Sequence, residues 1–191
     1  MHKSQGLSRS LTATLGFFAM TGPLSTDMYL ASFTDIADEL NSPAYLIQLT
    51  LTTFLLGLGV GQLFLGPLSD SVGRKPVLIA SLSIFALSGV LLIFSPSIWF
   101  FIILRAIQGV SGAASVVLSR AIAADLTRGP DTVRALSLIA MLVGLGPVVA
   151  PPIGAAVGLF FGWRGVLATI ALLALLMLLA AIFVVKESLP P

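Results

Sequence analysis

A short segment rich in charged, glycine and proline residues separates two long apolar runs of this chain. The segment covers residues 66–77 and reads GPLSDSVGRKPV, and the apolar runs beside it cover residues 46–68 and 77–94. Charge and unpaired backbone groups are costly in hydrocarbon, so such a segment belongs at a membrane surface. The sequence therefore predicts two membrane-spanning helices joined by a short charged turn of these twelve residues.

The composition also indicates a membrane protein. The chain is 57% hydrophobic and 9% charged, with a mean hydropathy of +1.07, whereas a soluble domain carries about 25% charged residues. The net charge of +2, without a basic face, argues against nucleic acid as a partner. There is no cysteine, and the single histidine is His2. These counts leave no residues for thiol chemistry, a catalytic dyad or a metal cluster, so we expect neither an enzyme nor a metal site.

The apolar runs are long enough for six membrane spans, since one spanning helix needs about 20 residues. We place the spans at residues 11–30, 46–68, 77–94, 98–123, 135–161 and 166–185. Residues 1–10 then form a tail, and residues 186–191 begin a loop. No small-residue cleavage site follows the first run, which favours an uncleaved helix over a signal peptide. The predicted fold class is an all-α membrane protein with six transmembrane helices.

The basic residues set the orientation of these spans, because lysine and arginine accumulate in cytoplasmic loops. With a cytoplasmic N-terminus, only Arg164 lies outside, and Arg105 falls within a span. The loop after the first span carries Asp35, Asp38 and Glu39 without a cation, which fits the outer face. Both termini are then cytoplasmic. The remaining basic residues lie inside: Lys3, Arg9, Arg74, Lys75, Arg120, Arg128, Arg134 and Lys186.

The charged segment resembles the loop signature of the major facilitator superfamily, G-x-x-x-D-[RK]-x-G-R-[RK]. The matching residues are Gly66, Asp70, Gly73, Arg74 and Lys75, while Ser71 stands where a basic residue is usual. In that family the loop joins helices 2 and 3 on the cytoplasmic side. Family members have twelve helices in two six-helix halves, so the resemblance implies the N-terminal half-bundle of a transporter.

Further motifs resemble the Bcr/CflA group of drug:proton antiporters, the bicyclomycin and chloramphenicol resistance exporters. Ala31 departs from that group, since a proline usually follows its D-M-Y-L. The resemblance implies a multi-pass protein of the bacterial inner membrane. The matching motifs are DMYL at 27–30, RAIQG at 105–109, GLGPVVAPPIG at 144–154, GWRG at 162–165 and ESLPP at 187–191.

The function implied by this resemblance is exchange of small amphipathic drugs for protons by alternating access, with the proton gradient as energy source and no cofactor. The chain ends where the first half of such a protein ends. A fragment lacking its C-terminal half is favoured over two copies that pair as a homodimer. Alternatives are an uptake symporter of the same superfamily and a transport-inactive fragment. The motif in the fifth span is typical of exporters and argues against the symporter; its residues are Gly146, Pro147, Ala150, Pro151 and Gly154.

Arg105 is the candidate for organising a substrate cavity. It lies about seven residues into a span, where a cation costs about 2.5–3.5 kcal/mol on insertion scales. Such a residue usually faces the bundle interior, where it can hold a carboxylate or a polar substrate group. Gln108 lies one helical turn further on and shares its face. The alternative is an arginine that snorkels to the interface from near a helix end.

Asp27 is the candidate proton site, because it is the one acid in or near a span. A carboxylate there can load and release a proton as its surroundings alternate, and a nearby Arg105 would influence that step. The alternative is an interfacial aspartate that stays in water. Tyr29 either stacks against an aromatic drug or belongs to the interfacial belt.

The remaining roles come from the resemblance and from residue size. In the family, Asp70 and Arg74 hold the outward-facing state shut; Arg74 pairs with an acid at the inner end of helix 4, a place that Asp125 occupies here. Asp70 would meet a helix N-terminus in the second half. Small residues of the fifth span permit close helix packing, and its prolines predict a bend. A role for this span in sealing the cavity against proton leak rests on the resemblance.

Overall fold

The computed structural model describes residues 8–189, without the side chain of Arg9, as helices and connecting turns. The predictions for His2, Lys3 and most of the tail at residues 1–10 fall outside this range. Within it the chain forms no strand. The helices are α1 Arg9–Ala19, α2 Thr21–Leu30, α3 Phe33–Glu39, α4 Ala44–Val72, α5 Arg74–Ile93, α6 Ile98–Leu126 and α7 Pro130–Phe183.

Helix α7 is a hairpin rather than one straight rod. Its single residue with non-helical dihedral angles is Gly162 (φ 64°, ψ −175°), a conformation that glycine adopts without strain. Along residues 130–161, Leu142 lies against Gly16 and Gly154 lies against Met28. Residues 163–183 run back in the opposite direction. Met177 in this second arm contacts Thr21, which lies between Gly16 and Met28 along the first pass. Each arm of α7 therefore crosses the bundle once.

The bundle consists of six passes: α1 with α2, then α4, α5, α6 and the two arms of α7. Four helices, α4 to α7, are individually long and apolar enough to span a membrane. The prediction of an all-α membrane fold is thus confirmed. Helix α6 is the central helix. In its apolar stretch of 18 residues 67% of the residues are buried, whereas in that of α4 only 22% are.

The prediction of a twelve-residue turn at residues 66–77 is wrong. Helix α4 continues to Val72 and α5 begins at Arg74, so Gly73 alone separates them. A helix satisfies its own backbone hydrogen bonds, so it can continue beyond the hydrocarbon once its side chains are polar. Pro76 fits because it lies in the first turn of α5, where backbone N–H groups have no intrahelical partner.

The first span was predicted as one helix but is interrupted at Met20. Pro23 explains the interruption, since it lacks the N–H that would bond to the carbonyl of residue 19. The hydroxyl of Thr21 donates to the carbonyl oxygen of Phe18 (2.7 Å) and accepts from Ser115 of α6 (2.8 Å). The short helix α3 was also not predicted, and it lies between the first two spans.

Glycines bring α4 and α6 into backbone contact. A Cβ atom added to Gly57 would lie 2.6 Å from the carbonyl oxygen of Ala106, and one added to Gly61 would lie 2.6 Å from that of Val110. Such close approach is the means by which membrane helices pack without a hydrophobic driving force. We name the two ends of the bundle after the turns they contain, the Gly73 end and the Gly162 end.

Candidate functional site

A fully buried arginine lies at the centre of the bundle. Arg105 of α6 is 0% exposed. Its Nη1 donates to Oε1 of Gln108 (2.9 Å), and its Nη2 donates to the carbonyl oxygen of Ser25 on α2 (3.2 Å). The spacing of three residues places Arg105 and Gln108 on one face of α6, as the sequence indicated. An arginine buried in this way does not snorkel to the membrane surface.

Two aromatic rings enclose the Arg105 guanidinium. Its Cζ atom lies 4.3 Å from the ring centroid of Tyr29 and 4.4 Å from that of Phe54. A desolvated cation–π contact contributes about 2 kcal/mol. We call Arg105, Gln108, Tyr29 and Phe54 the arginine cage. Phe54 was not predicted, because nothing distinguishes it from the other apolar residues of α4 before the helices are packed.

All the partners of Arg105 are neutral. No carboxylate forms an ion pair with it within the described part of the chain. Its Nε–H is buried and has no hydrogen-bond acceptor there. An uncompensated buried cation is energetically expensive, and two hydrogen bonds with two aromatic contacts offset only part of that cost. The cage therefore presents a positive charge that can attract a carboxylate or a polar substrate group.

Tyr29 belongs to the interior of the bundle rather than to the interfacial belt. It is fully buried, and its hydroxyl lies 2.7 Å from Oγ1 of Thr50. Thr50 gives its own proton to the carbonyl oxygen of Ile47 (2.6 Å). A threonine hydroxyl has one proton, so Tyr29 is the donor in its bond with Thr50. This bond holds the hydroxyl end of the Tyr29 side chain against α4.

Asp27 lies on the same helix as Tyr29 but does not meet Arg105. It is half-buried, and its recorded partner is the hydroxyl of Thr26 (2.9 Å). Ser25 and Tyr29 both contact Arg105, and Asp27 is two residues from each. At 3.6 residues per turn this places Asp27 about 200° around the helix axis from them. Asp27 therefore points away from the side of α2 that faces Arg105.

An ionic cluster forms at the Gly73 end around Arg74, which is 8% exposed. Its guanidinium contacts Oδ1 of Asp70 (2.6 Å), Oδ2 of Asp125 on α6 (3.0 Å) and Oγ of Ser69 (2.7 Å). The Asp70 side chain is 62% exposed, so the more sheltered pair with Asp125 is the stronger tie between helices. The residues named from the loop signature and Asp125 therefore come together. Gly66 lies about one turn before Asp70 on α4, and its carbonyl oxygen accepts from the hydroxyl of Ser69 (2.6 Å).

Glu187 completes this cluster and was not predicted as a site residue. Its carboxylate accepts from the backbone N–H groups of Arg74 (3.0 Å) and Lys75 (3.1 Å), at the N-terminus of α5. Burial raises the pKa of Glu187, but the N–H groups of Leu189, Lys75, Arg74 and Ser188 together lower that pKa below its usual value. Lys75 also donates from Nζ to the carbonyl oxygen of Ile182 (2.9 Å). These bonds join the end of α7 to the start of α5.

Gly73→Ala is expected to loosen this junction. Gly73 has φ +112°, and a Cβ atom there would lie 2.8 Å from Oε2 of Glu187. The change combines backbone strain, about 1–3 kcal/mol, with a push against the capping carboxylate. We expect a lower melting temperature in detergent than for Gly129→Ala, because Gly129 also has a positive φ (58°) but its Cβ would meet nothing. Equal melting temperatures for the two variants would contradict the role of Glu187.

The motif residues of the fifth span lie in the first arm of α7. Gly146 packs against Pro23 and Gly154 against Met28, both on α2, and Ala150 between them is fully buried. Helical dihedral angles continue through Pro147 and Pro151. This face of α7 therefore holds α2, the helix that carries Tyr29 and Asp27.

Comparison with known proteins gives the following matches. A sequence model described as Major Facilitator Superfamily matches residues 14–191. The uncharacterised MFS-type transporter YdgK of Bacillus subtilis (strain 168) is 38% identical over 193 residues, covering 100% of this chain and 48% of that protein. A bicyclomycin resistance protein homolog of Haemophilus influenzae (strain Rd) is 39% identical over 175 residues, with coverages of 92% and 44%.

A solved structure gives the same result for the fold. The proton:xylose symporter XylE, bound to 6-bromo-6-deoxy-D-glucose, matches with a TM-score of 0.83 and 19% identity, covering 94% of this chain and 45% of that one. The chain thus spans about half the length of the curated relatives it matches.

Proposed function

Because the chain belongs to the major facilitator superfamily, we propose that it is the N-terminal half of a drug:proton antiporter that exports small amphipathic drugs by alternating access. The relative named as a bicyclomycin resistance protein homolog supports bicyclomycin-like molecules as the substrate class. Chloramphenicol-like molecules are included because the motifs resemble those of the group that exports both drugs. The arginine cage is the observation that carries the proposal. It places a charged, aromatic and hydrogen-bonding group at the centre of an apolar bundle.

In this proposal the cage binds the drug. All four side chains are buried in the present arrangement, so the drug reaches them when alternating access opens the bundle. The rings of Tyr29 and Phe54 then offer apolar surface, and Arg105 and Gln108 offer polar groups for orientation, a combination typical of small-molecule sites. Arginine does not give up its proton in proteins, so it orients the drug rather than carrying the proton.

Asp27 is the proposed proton site. Its half-buried position on α2 allows proton loading from one side of the membrane and release to the other as the bundle rocks. Since Asp27 and Arg105 lie on different sides of α2, protonation reaches the cage through movement of the helix. Each charge moved across 100 mV supplies about 2.3 kcal/mol, which is enough to drive useful accumulation.

The Gly73 end is the proposed cytoplasmic end, in a bacterial inner membrane with both termini inside. Arg74, Lys75, Arg120, Arg128 and Arg134 support this orientation, because they lie at or near that end. The ionic cluster there acts as the gate that holds the outward-facing state shut. The exposed side of Asp70 then meets a helix N-terminus of the second half.

The partner is a second six-helix half, which supplies the opposite wall of the cavity, with a second copy of this chain as the alternative. The lengths of the relatives support the former. The exporter-type motif of the fifth span, with Gly146 and Gly154 packed on α2, favours export over the uptake symporter.

Exchange in proteoliposomes tests the proposal. The product of the complete native reading frame is reconstituted, and bicyclomycin uptake is measured with the vesicle lumen acidified. We expect accumulation that collapses when a protonophore removes the pH gradient, and no accumulation with the 191-residue chain alone. Equal uptake with and without the gradient would contradict proton exchange, and uptake by the short chain would make a second copy the partner.

A further inference from the structure

Three residues form a hydrogen-bonded cluster at the Gly162 end. The indole Nε1 of Trp163 donates to Oε2 of Glu39 (2.6 Å), and Nη1 of Arg164 forms an ion pair with Oε1 of the same carboxylate. The Nε of Arg164 also donates to the carbonyl oxygen of Ile93 (3.1 Å), where α5 ends. We call Glu39, Trp163 and Arg164 the Glu39 clamp. It joins α3, α5 and the second arm of α7.

The clamp is closed at neutral pH. Arg164, and then the indole of Trp163, lower the pKa of the Glu39 carboxyl below its usual value. A carboxylate with a lowered pKa contributes its contacts above the ordinary glutamate range, and loses them only as the pH falls through the lowered value. Glu39 is therefore ionised and paired at neutral pH.

The clamp is connected to the arginine cage by two routes. Trp163 lies 6.3 Å from Phe101 of α6, and Phe101 stacks on Tyr29 at 5.8 Å, between ring centroids. On the other route, Glu39 is the last residue of α3 and Phe33 is its first. Phe33 meets the Tyr29 ring edge-on at 4.9 Å. Helix α3 spans seven residues, or about 10 Å. It is therefore a short helix with the clamp at its C-terminal end and the contact to Tyr29 at its N-terminal end.

Tyr29 is thus contacted from two sides by groups that the clamp holds. Aromatic pairs at these separations prefer defined orientations and resist sliding. We propose that the Glu39 clamp positions the Tyr29 ring over Arg105, so that Glu39, Trp163 and Arg164 are positioning residues for the substrate site although they lie at the membrane surface. The inference rests on the proposed function of the cage as the drug site.

The coupling is measurable without transport. The full-length protein is labelled with 5-fluorotryptophan, and the ¹⁹F resonance of Trp163 is the one missing from Trp163→Phe. Arg105→Lys is expected to shift this resonance by more than its line width, because the Tyr29 and Phe101 rings readjust. Arg120→Lys, an exposed position of the same helix, is the matched control and should leave it unchanged. An unmoved resonance in Arg105→Lys would overturn the coupling.

The positioning role is measured by the KM for bicyclomycin efflux. Glu39→Gln is expected to raise KM about three- to tenfold at similar maximal rate, whereas Asp38→Asn, on the neighbouring exposed carboxylate, should not. In a Phe33→Leu and Phe101→Leu background, which interrupts both routes to Tyr29, Glu39→Gln should add less than about twofold, since coupled sites are non-additive. Full additivity, or a fall in maximal rate alone, would overturn the proposal.

Two precautions keep these outcomes distinguishable. Arg164→Lys retains the charge but loses the two-pronged contact to Glu39 and Ile93, and it replaces Glu39→Gln if that variant does not fold. If the unmodified protein moves no bicyclomycin, the proposed function fails, and the ¹⁹F comparison still decides whether the clamp is coupled to the cage.

Discussion

Arg105→Lys is expected to reduce drug export by about ten- to a hundredfold while the protein still inserts and folds. Lysine keeps the charge but lacks the planar group that lies between the rings of Tyr29 and Phe54. It also cannot donate to Gln108 and to the Ser25 carbonyl with the same geometry. One charged hydrogen bond contributes about 1.5–3 kcal/mol, and each 1.36 kcal/mol is about tenfold in rate.

The measurement is the initial rate of efflux from proteoliposomes at matched protein content. Arg120→Lys provides the control, because Arg120 lies on α6 but is exposed and forms no ion pair among residues 8–189. Export at the unmodified rate in Arg105→Lys would remove the arginine cage from the mechanism.

Asp27→Asn is expected to abolish exchange driven by a pH gradient while leaving measurable drug binding. Asparagine keeps the shape of the side chain and its hydrogen bond with Thr26, but it removes the titratable charge. Because Asp27 does not contact Arg105, the cage should remain assembled in this variant. Drug binding is measured by equilibrium dialysis, and coupling by uptake with and without an imposed gradient.

Asp35→Asn is the matched control for this change. Asp35 is exposed on α3 and takes no part in the ion pairs of the described residues. Coupled exchange should be normal in Asp35→Asn and absent in Asp27→Asn. Normal coupling in Asp27→Asn would assign the proton to another carboxylate, either in the Gly73 cluster or in the second half.

The family resemblance read from the sequence is confirmed, and so is the all-α membrane fold. Both depend on features that act locally. Long apolar runs must become helices in hydrocarbon, whatever they pack against. The sequence favoured the burial of Arg105, since a cation about seven residues into a span usually faces the interior, and the structure excludes the snorkelling alternative.

Sequence periodicity did not predict the contacts between residues of different helices. The pairing of Glu187 with the start of α5 joins residues 113 apart, and the Glu39 clamp joins residues 124 and 125 apart. Neither glutamate has a local partner pattern that would have singled it out. The prolines were an uneven signal. Pro23 accounts for the interruption at Met20, which was not predicted, whereas helical dihedral angles continue through Pro147 and Pro151.

The sequence by itself determined that the chain is an all-α membrane protein, and which residues share a face within one helix, as Arg105 and Gln108 do. Those properties follow from hydropathy and from the 3.6-residue turn of a single helix. Only the tertiary structure decided that Arg105 lies between Tyr29 and Phe54, and that Asp27 is turned away from it. The rotation of one helix about its axis relative to another is set by the packing of glycines and side chains between them, and no single-helix pattern contains that angle.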